Sequence, residues 1–347
     1  MRKRAVSRVA VPAIVTAGDG RAAKAVYGEN KVFLPVAGTP MVARLVTTLQ
    51  AVPEVSEVWV VGRRARLEEI FDQKFRQTLS KPLFLVEQGR NLLENAWETY
   101  RRTLSRDPDQ GRDPVGDEVD QAILYLSGDL PFATPQEISA FVRQGLSLPG
   151  CDYALGLAPA AALEDFKPQA PGSPGIEVAF FNLREGRLRQ NNLHLARPAR
   201  LGKRDRVEDM YEHRHQKKFW NMAVLAWKLF FSRAAGPWIV FLYLLMHGAG
   251  WADRWRLKGL ANWLRSGVTI ARNESVISRV LDTHFRFVVT EAGGCAIDVD
   301  TDAEYDAVQA RFDEWKRLQD ARSEALYGPP ALPAPQNSTD SSQKKEA

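Results

Sequence analysis

Cysteine is nearly absent. The 347 residues contain two, Cys151 and Cys295, too few and too far apart for a disulfide framework or a cysteine-rich metal site. That usage fits a reducing compartment, and the cytoplasm is the expected location. Zinc-finger spacing is missing, as is the glycine and aromatic string of an RNA-binding surface, so nucleic acid is not an expected partner. Long hydrophobic runs are lacking too. Residues 234–252 carry no Lys, Arg, Asp or Glu, but Gly236-Pro237 breaks the start and Gly248 and Gly250 thin the end. The continuous apolar core, Trp238 to Met246, is far below the roughly 20 residues that span hydrocarbon. The basic opening Met1-Arg2-Lys3-Arg4 is followed by no long apolar stretch before Gly18, so a secretory signal is not expected.

What is present suits a large globular core. Hydrophobic residues make up 45% of the chain, enough for one large core or a core with a small second module. The net charge of +5 favours anionic ligands such as nucleotides, phosphorylated substrates or anionic lipid.

The most informative stretch is Val11 to Met41, VPAIVTAGDGRAAKAVYGENKVFLPVAGTPM. Val11 to Thr16 is apolar and partly β-branched, which fits a buried strand. Ala17-Gly18-Asp19-Gly20 then turns the chain. Small residues let backbone N–H groups approach a ligand closely, and Arg21, Lys24 and Lys31 supply positive charge against phosphate oxygens. On its own such a turn reads equally as structural punctuation.

Downstream, apolar residues at Val42, Leu45, Val46 and Leu49 mark an amphipathic helix that Pro53 stops. Val55 to Val61 reads as a strand, Arg64 to Phe75 as a helix and Leu83 to Val86 as a third strand. This alternation implies a parallel sheet with helices on both faces. Ala122 to Phe132, AILYLSGDLPF, is an apolar strand ending at Asp129, and a carboxylate at the carboxyl end of a buried parallel strand lies where open α/β sheets bind ligands. Thr134 and Pro135 open the next helix. Asp152 to Leu157 is another strand; Ile176 to Leu183 and Leu188 to Ala196 form a hairpin around Gly186, with Asn191 and Asn192 in its second arm. Val268 to Leu281 reads as a short strand and helix, Phe285 to Val289 as a strand, and Ala303 to Leu326 as a helix capped by Thr301 or Asp302.

These blocks resemble the nucleotidyltransferases of the glycosyltransferase-A type, including the MobA-like NTP transferases and the sugar-phosphate nucleotidyltransferases. Ala17, Gly18, Gly20, Lys31, Leu34, Pro35, Val36, Gly38, Pro40 and Met41 fall into their opening pattern. Ala22 stands where the family places an arginine, leaving Arg21 or Lys24 for that position. Ser127-Gly128-Asp129-Leu130-Pro131 resembles the family's metal-binding element, and Asp298-Val299-Asp300-Thr301 its closing acidic string. The resemblance implies a three-layer α/β/α sandwich with a mostly parallel, Rossmann-like central sheet of the nucleotide-diphospho-sugar transferase type, over residues 8–327. It implies catalytic roles for Lys31, Asp129 and Arg21, and nucleotide or acceptor contacts from Ala17, Gly18, Gly20, Lys24, Gly89, Asn95, Asn191 and Asn192. It also implies Mg²⁺ held by Asp129 with Asp300 or Asp298. Gly89 and Asn95 read equally as a loop and a helix cap, and Asn191 and Asn192 equally as structural.

The expected activity is transfer of NMP from an NTP to a phosphorylated small-molecule acceptor, with release of pyrophosphate. Two alternatives stay open: a glycosyltransferase of the same fold using a nucleotide sugar, though Ser127-Gly128-Asp129 is not its usual Asp-x-Asp, and a membrane-peripheral, non-catalytic nucleotide-binding module. The latter rests on Ala22 and on the Trp-rich part of residues 198–265, an insertion outside the resemblance. It reads as a buried helical module, or as an interfacial helix with peripheral membrane contact through 237–258. His213 and His215 within it are two apart and do not share a helix face. Residues 328–347, rich in Pro, Ser, Gln and Lys, read as a disordered tail.

Overall fold

A computed structural model describes residues 10–18, 25–202 and 257–331, with the isolated positions Leu245, Gly248, Ala252 and Trp255. Eight strands form the main sheet. They are β1 (Val11–Ala17), β2 (Val55–Gly62), β3 (Leu83–Glu87), β4 (Ile123–Ser127), β5 (Tyr153–Pro159), β6 (Phe181–Leu183), β7 (Gly186–Ala196) and β8 (Phe285–Val289). Their order is β8-β5-β7-β4-β1-β2-β3, with β6 on β7. The helices are α1 (Met41–Gln50), α2 (Arg64–Ile70), α3 (Gln73–Arg76), α4 (Leu92–Ser105), α5 (Pro135–Ser147), α6 (Lys258–Ser266), α7 (Ile270–Leu281) and α8 (Asp302–Tyr327).

The strands β1, β2, β3 and β4 pair in parallel, as do β5 and β8. The exception is β7, antiparallel to both β4 and β5, so the sheet is mixed and mostly parallel. The side chains of β1 show why it is central. Ala13, Val15 and Ala17 face a core that includes α1 and α5, while Ile14 faces the opposite core with Trp59 and Tyr100 of α4. A strand buried on both faces needs the near-continuous apolar run seen in its sequence. The order of strands reverses at β1 and β4, which opens a crevice beyond their carboxyl ends.

Several boundaries differ from the expected ones, each for a local reason. The helix expected over Arg64 to Phe75 is two, because the Asp72 side chain accepts from Phe75 N–H and starts a new turn. Only Phe181–Leu183 of the first hairpin arm pairs. Ile176, earlier in that arm, is buried against Phe166 and donates its N–H to the Phe166 carbonyl at 2.7 Å. No strand precedes α7; Val268 gives its carbonyl to Arg184 N–H, and Thr269 caps the helix. Residues 25–40 form two small hairpins whose two-residue turns, Tyr27-Gly28 and Ala37-Gly38, both have positive φ at each position. That conformation matches strand twist but is unusual for Tyr and Ala.

Most of the insertion expected over 198–265 lies outside the described residues, as do His213, His215 and the tail beyond 331. No helix among the described residues is long and apolar enough to cross a membrane.

Candidate functional site

The site begins where β1 and β4 end side by side. Gly128 donates its N–H to the Thr16 carbonyl at 2.9 Å, continuing the parallel pairing one step past β4. A Cβ at Gly128 would press on that carbonyl at 3.0 Å and on Val32 at 3.2 Å. The next residue, Asp129, is 1% exposed, and its carboxylate accepts from Ser127 Oγ and pairs with Lys31 Nζ.

Lys31 opens a single 3-10 turn, Lys31–Phe33, capped by Asn30. The amide of Asn30 also donates to the carbonyls of Ala17 and Gly18, each at 3.2 Å, so the turn bearing Lys31 is tied to the end of β1. Lys31 Nζ also donates to Asp300 Oδ1 at 2.7 Å. Burial pulls the Lys31 ammonium down, but the carboxylates of Asp129 and Asp300 outweigh it, and the net shift is upward. Lys31 is therefore firmly cationic.

Asp298 and Asp300 arrive on an irregular segment between β8 and α8. Its apolar members Cys295, Ala296, Ile297 and Val299 are fully buried, so the alternating acids turn outward, toward Asp129. One carboxylate oxygen from each of Asp129, Asp298 and Asp300 lies within 4.8 Å of the others. Arg189 of β7 holds Asp298, with Nη2 on Oδ1 at 2.7 Å and Nε on the Ala296 carbonyl at 2.9 Å. Burial pushes the Asp298 carboxyl up, the neighbouring Asp129 charge adds to this, and Arg189 opposes it. Three carboxylates facing two cations leave room for further positive charge. Their hard oxygen donors suit a divalent cation such as Mg²⁺, which takes few carboxylates and fills its shell with water or phosphate.

Beyond β1 and β3 lies a second cluster. A Cβ at Gly18 would meet Gln88 Oε1 at 2.9 Å and Asn95 Nδ2 at 3.6 Å, and Asn95 Oδ1 accepts from Gly89 N–H. Ala17, Gly18, Gly89 and Asn95 are thus neighbours. Asn191 is placed differently. It is 0% exposed, in an irregularity of the β5–β7 pairing, and its amide is occupied by Thr290 Oγ1 at 3.0 Å and Leu193 N–H at 3.1 Å. A side chain enclosed and bonded in this way is part of the scaffold. Asn192, next along β7, is half-buried. Gly20, Arg21 and Lys24 lie outside the described residues.

Sequence reasoning passed over Asn30, Gln88 and Arg189. An asparagine just before an expected turn is a usable capping signal. Arg189, one of several arginines in its hairpin, carried none.

A 2-C-methyl-D-erythritol 4-phosphate cytidylyltransferase from Chlorobium luteolum is 23% identical over 142 residues, 41% of this chain and 57% of that protein. The chain therefore matches little more than half of that relative's length. The structure of a hypothetical transferase from Thermus thermophilus superposes with a TM-score of 0.54 at 20% identity, covering 84% of this chain and 97% of that one, which shows a shared fold. Residues 13–155, from β1 into β5 and including both Lys31 and Asp129, match the family model of the MobA-like NTP transferase domain.

Proposed function

We propose that the protein is a nucleotidyltransferase that moves NMP from an NTP to a phosphorylated small-molecule acceptor and releases pyrophosphate. The observation that carries this reading is the meeting of Asp129, at the end of a central parallel strand, with Lys31 and with Asp298 and Asp300 from the far end of the chain. The domain match over residues 13–155 supports the reaction class. The cytidylyltransferase relative, named for a phosphorylated sugar alcohol, supports the acceptor class.

In the reaction, an acceptor phosphate oxygen bonds to the α-phosphorus while the bond from that phosphorus to the bridging oxygen breaks, and pyrophosphate leaves. No side-chain nucleophile is needed, because positioning and electrostatic stabilisation carry transfer at phosphorus. Lys31 holds phosphate oxygens, its charge secured by the flanking carboxylates. The small residues Ala17 and Gly18 let the backbone approach the nucleotide, with Gly20 and either Arg21 or Lys24 completing the phosphate grip. Gly89 and Asn95, with Gln88, face the base. Asp129, Asp298 and Asp300 would hold Mg²⁺, which, when bound, neutralises charge developing on the phosphates.

A panel of four NTPs with pooled phosphorylated acceptors and Mg²⁺, assayed for pyrophosphate, tests this. One NTP is expected to give pyrophosphate only when acceptor is present. Release of a nucleoside diphosphate from a nucleotide sugar, without pyrophosphate from any NTP, would select the glycosyltransferase reading instead.

A further inference from the structure

The acidic string at 298–300 belongs to no strand or helix, so something else must fix its position. The strongest candidate is Glu137, a carboxylate with no exposed surface in the first turn of α5. Its Oε1 accepts from Thr290 Oγ1 at 2.8 Å and from Gly293 N–H at 3.2 Å, and its Oε2 accepts from Cys295 N–H at 3.1 Å. Three donors from one irregular segment thus converge on one buried side chain. Asn191 extends the network by donating to Thr290 Oγ1.

A comparison within the chain shows that this use is unusual. Thr134-x-x-Glu137 and Thr301-x-x-Glu304 both have the spacing of a capping box. In the second, Glu304 turns back along its own chain to accept from Asp300 N–H at 2.7 Å. In the first, Thr134 caps the helix, bonded in turn to Ser323 at 2.7 Å, but the Glu137 carboxylate reaches across to the 290s. A buried carboxylate is costly unless fully hydrogen-bonded, and here the bonds are spent on the segment that leads to Asp298.

The same helix grows directly out of the Asp129 segment. Gly294 closes the gap from the other side, since a Cβ there would lie 2.1 Å from the Phe132 carbonyl. We propose that Glu137 is a positioning residue of the acidic cluster beside Arg189: it clamps the Thr290–Cys295 segment to α5, the helix that follows the Asp129 loop, and so sets where Asp298 and Asp300 stand relative to Asp129. This rests on the reading of those three aspartates as a divalent-cation site. The clamp acts through two backbone N–H groups and the Thr290 hydroxyl and touches no substrate.

The test is Mn²⁺ affinity, measured by electron paramagnetic resonance on wild type, Glu137→Gln, Thr134→Ala and Asp300→Asn. Replacing the carboxylate by an amide leaves one accepting oxygen and sets the NH2 against a donor, the Cys295 N–H if the oxygen keeps Thr290 and Gly293, and loss of outer support typically weakens metal sites 10–100-fold. Glu137→Gln is expected to weaken Mn²⁺ binding about tenfold. Thr134→Ala, which removes the cap of the same helix, is expected to lower the melting temperature with Mn²⁺ affinity unchanged. If wild type and Asp300→Asn bind Mn²⁺ equally poorly, the underlying cation-site reading fails. If wild type binds, Asp300→Asn does not, and Glu137→Gln binds like wild type, the site stands and the clamp is overturned. Should Glu137→Gln not fold, Thr290→Val, which removes one of the three donors, carries the test: weaker Mn²⁺ binding supports the clamp, and unchanged binding overturns it.

Discussion

Asp129 and Asp300 both pair with Lys31, but they reach it from differently built supports. Asp129 follows a buried parallel strand whose register with β1 continues through Gly128. Asp300 ends an irregular segment held by side chains, Glu137 and Arg189 above all, and its own side chain is 37% exposed. A ladder of backbone bonds fixes a position cooperatively. A segment pinned by side chains depends on each pin separately, and this gives the two acids different tolerances to change.

Several substitutions sharpen that difference, beginning with the largest effect. Asp129→Ala is expected to lower the rate of pyrophosphate release about 10³-fold, the scale of losing a central electrostatic element. Asp300→Ala is expected to cost less, about 10²-fold, because a half-exposed ligand is more readily replaced by water. Equal losses in steady-state assays would erase the distinction. Gly294→Ala drives a methyl into the Phe132 carbonyl with no flexible neighbour to yield, so urea unfolding should show a loss of about 3 kcal/mol. At Gly18 the nearest obstacle is the end of a side chain, Gln88. Gly18→Ala is therefore expected to leave unfolding unchanged and raise KM for the NTP about tenfold by obstructing backbone approach.

The smallest effect is a control remote from both supports. Hydrogen bonds from Arg112 and from Val115 N–H pull the partly exposed Glu118 carboxyl down to about 2. A depressed carboxyl stabilises the fold above its ordinary range and loses that contribution as pH falls toward 2. Glu118→Gln should slightly flatten the acid arm of the stability curve, with activity near neutral pH unaltered.

The same contrast separates what the sequence made legible from what it did not. Asp129 could be found because its apolar run ending in Gly-Asp follows the opening motif in the order the resemblance implies, where alone it would read as a turn or cap, and the twin positive-φ turns of 25–40 left glycines at positions 28 and 38. The mostly parallel sheet followed from the strand and helix alternation. The antiparallel run of β7 between β4 and β5 did not, because nothing local encodes which neighbours a strand chooses. Glu137 went unread at the start of the helix that Thr134 and Pro135 open, and only its donors, more than 150 residues away in sequence, give it a use beyond that helix. Asn191 was visible as a polar residue in a hairpin, but not as a buried one, since burial depends on Thr290 arriving from the other side of the insertion.

The most direct measurement follows the label from an NTP carrying ³²P at either the α or the γ position, incubated with Mg²⁺ and pooled phosphorylated acceptors. The account predicts that α-label moves to an acceptor-linked product while γ-label leaves as pyrophosphate, and that Asp129→Ala abolishes both. Label from the γ position appearing on the acceptor, or α-label transfer undiminished in Asp129→Ala, would contradict it.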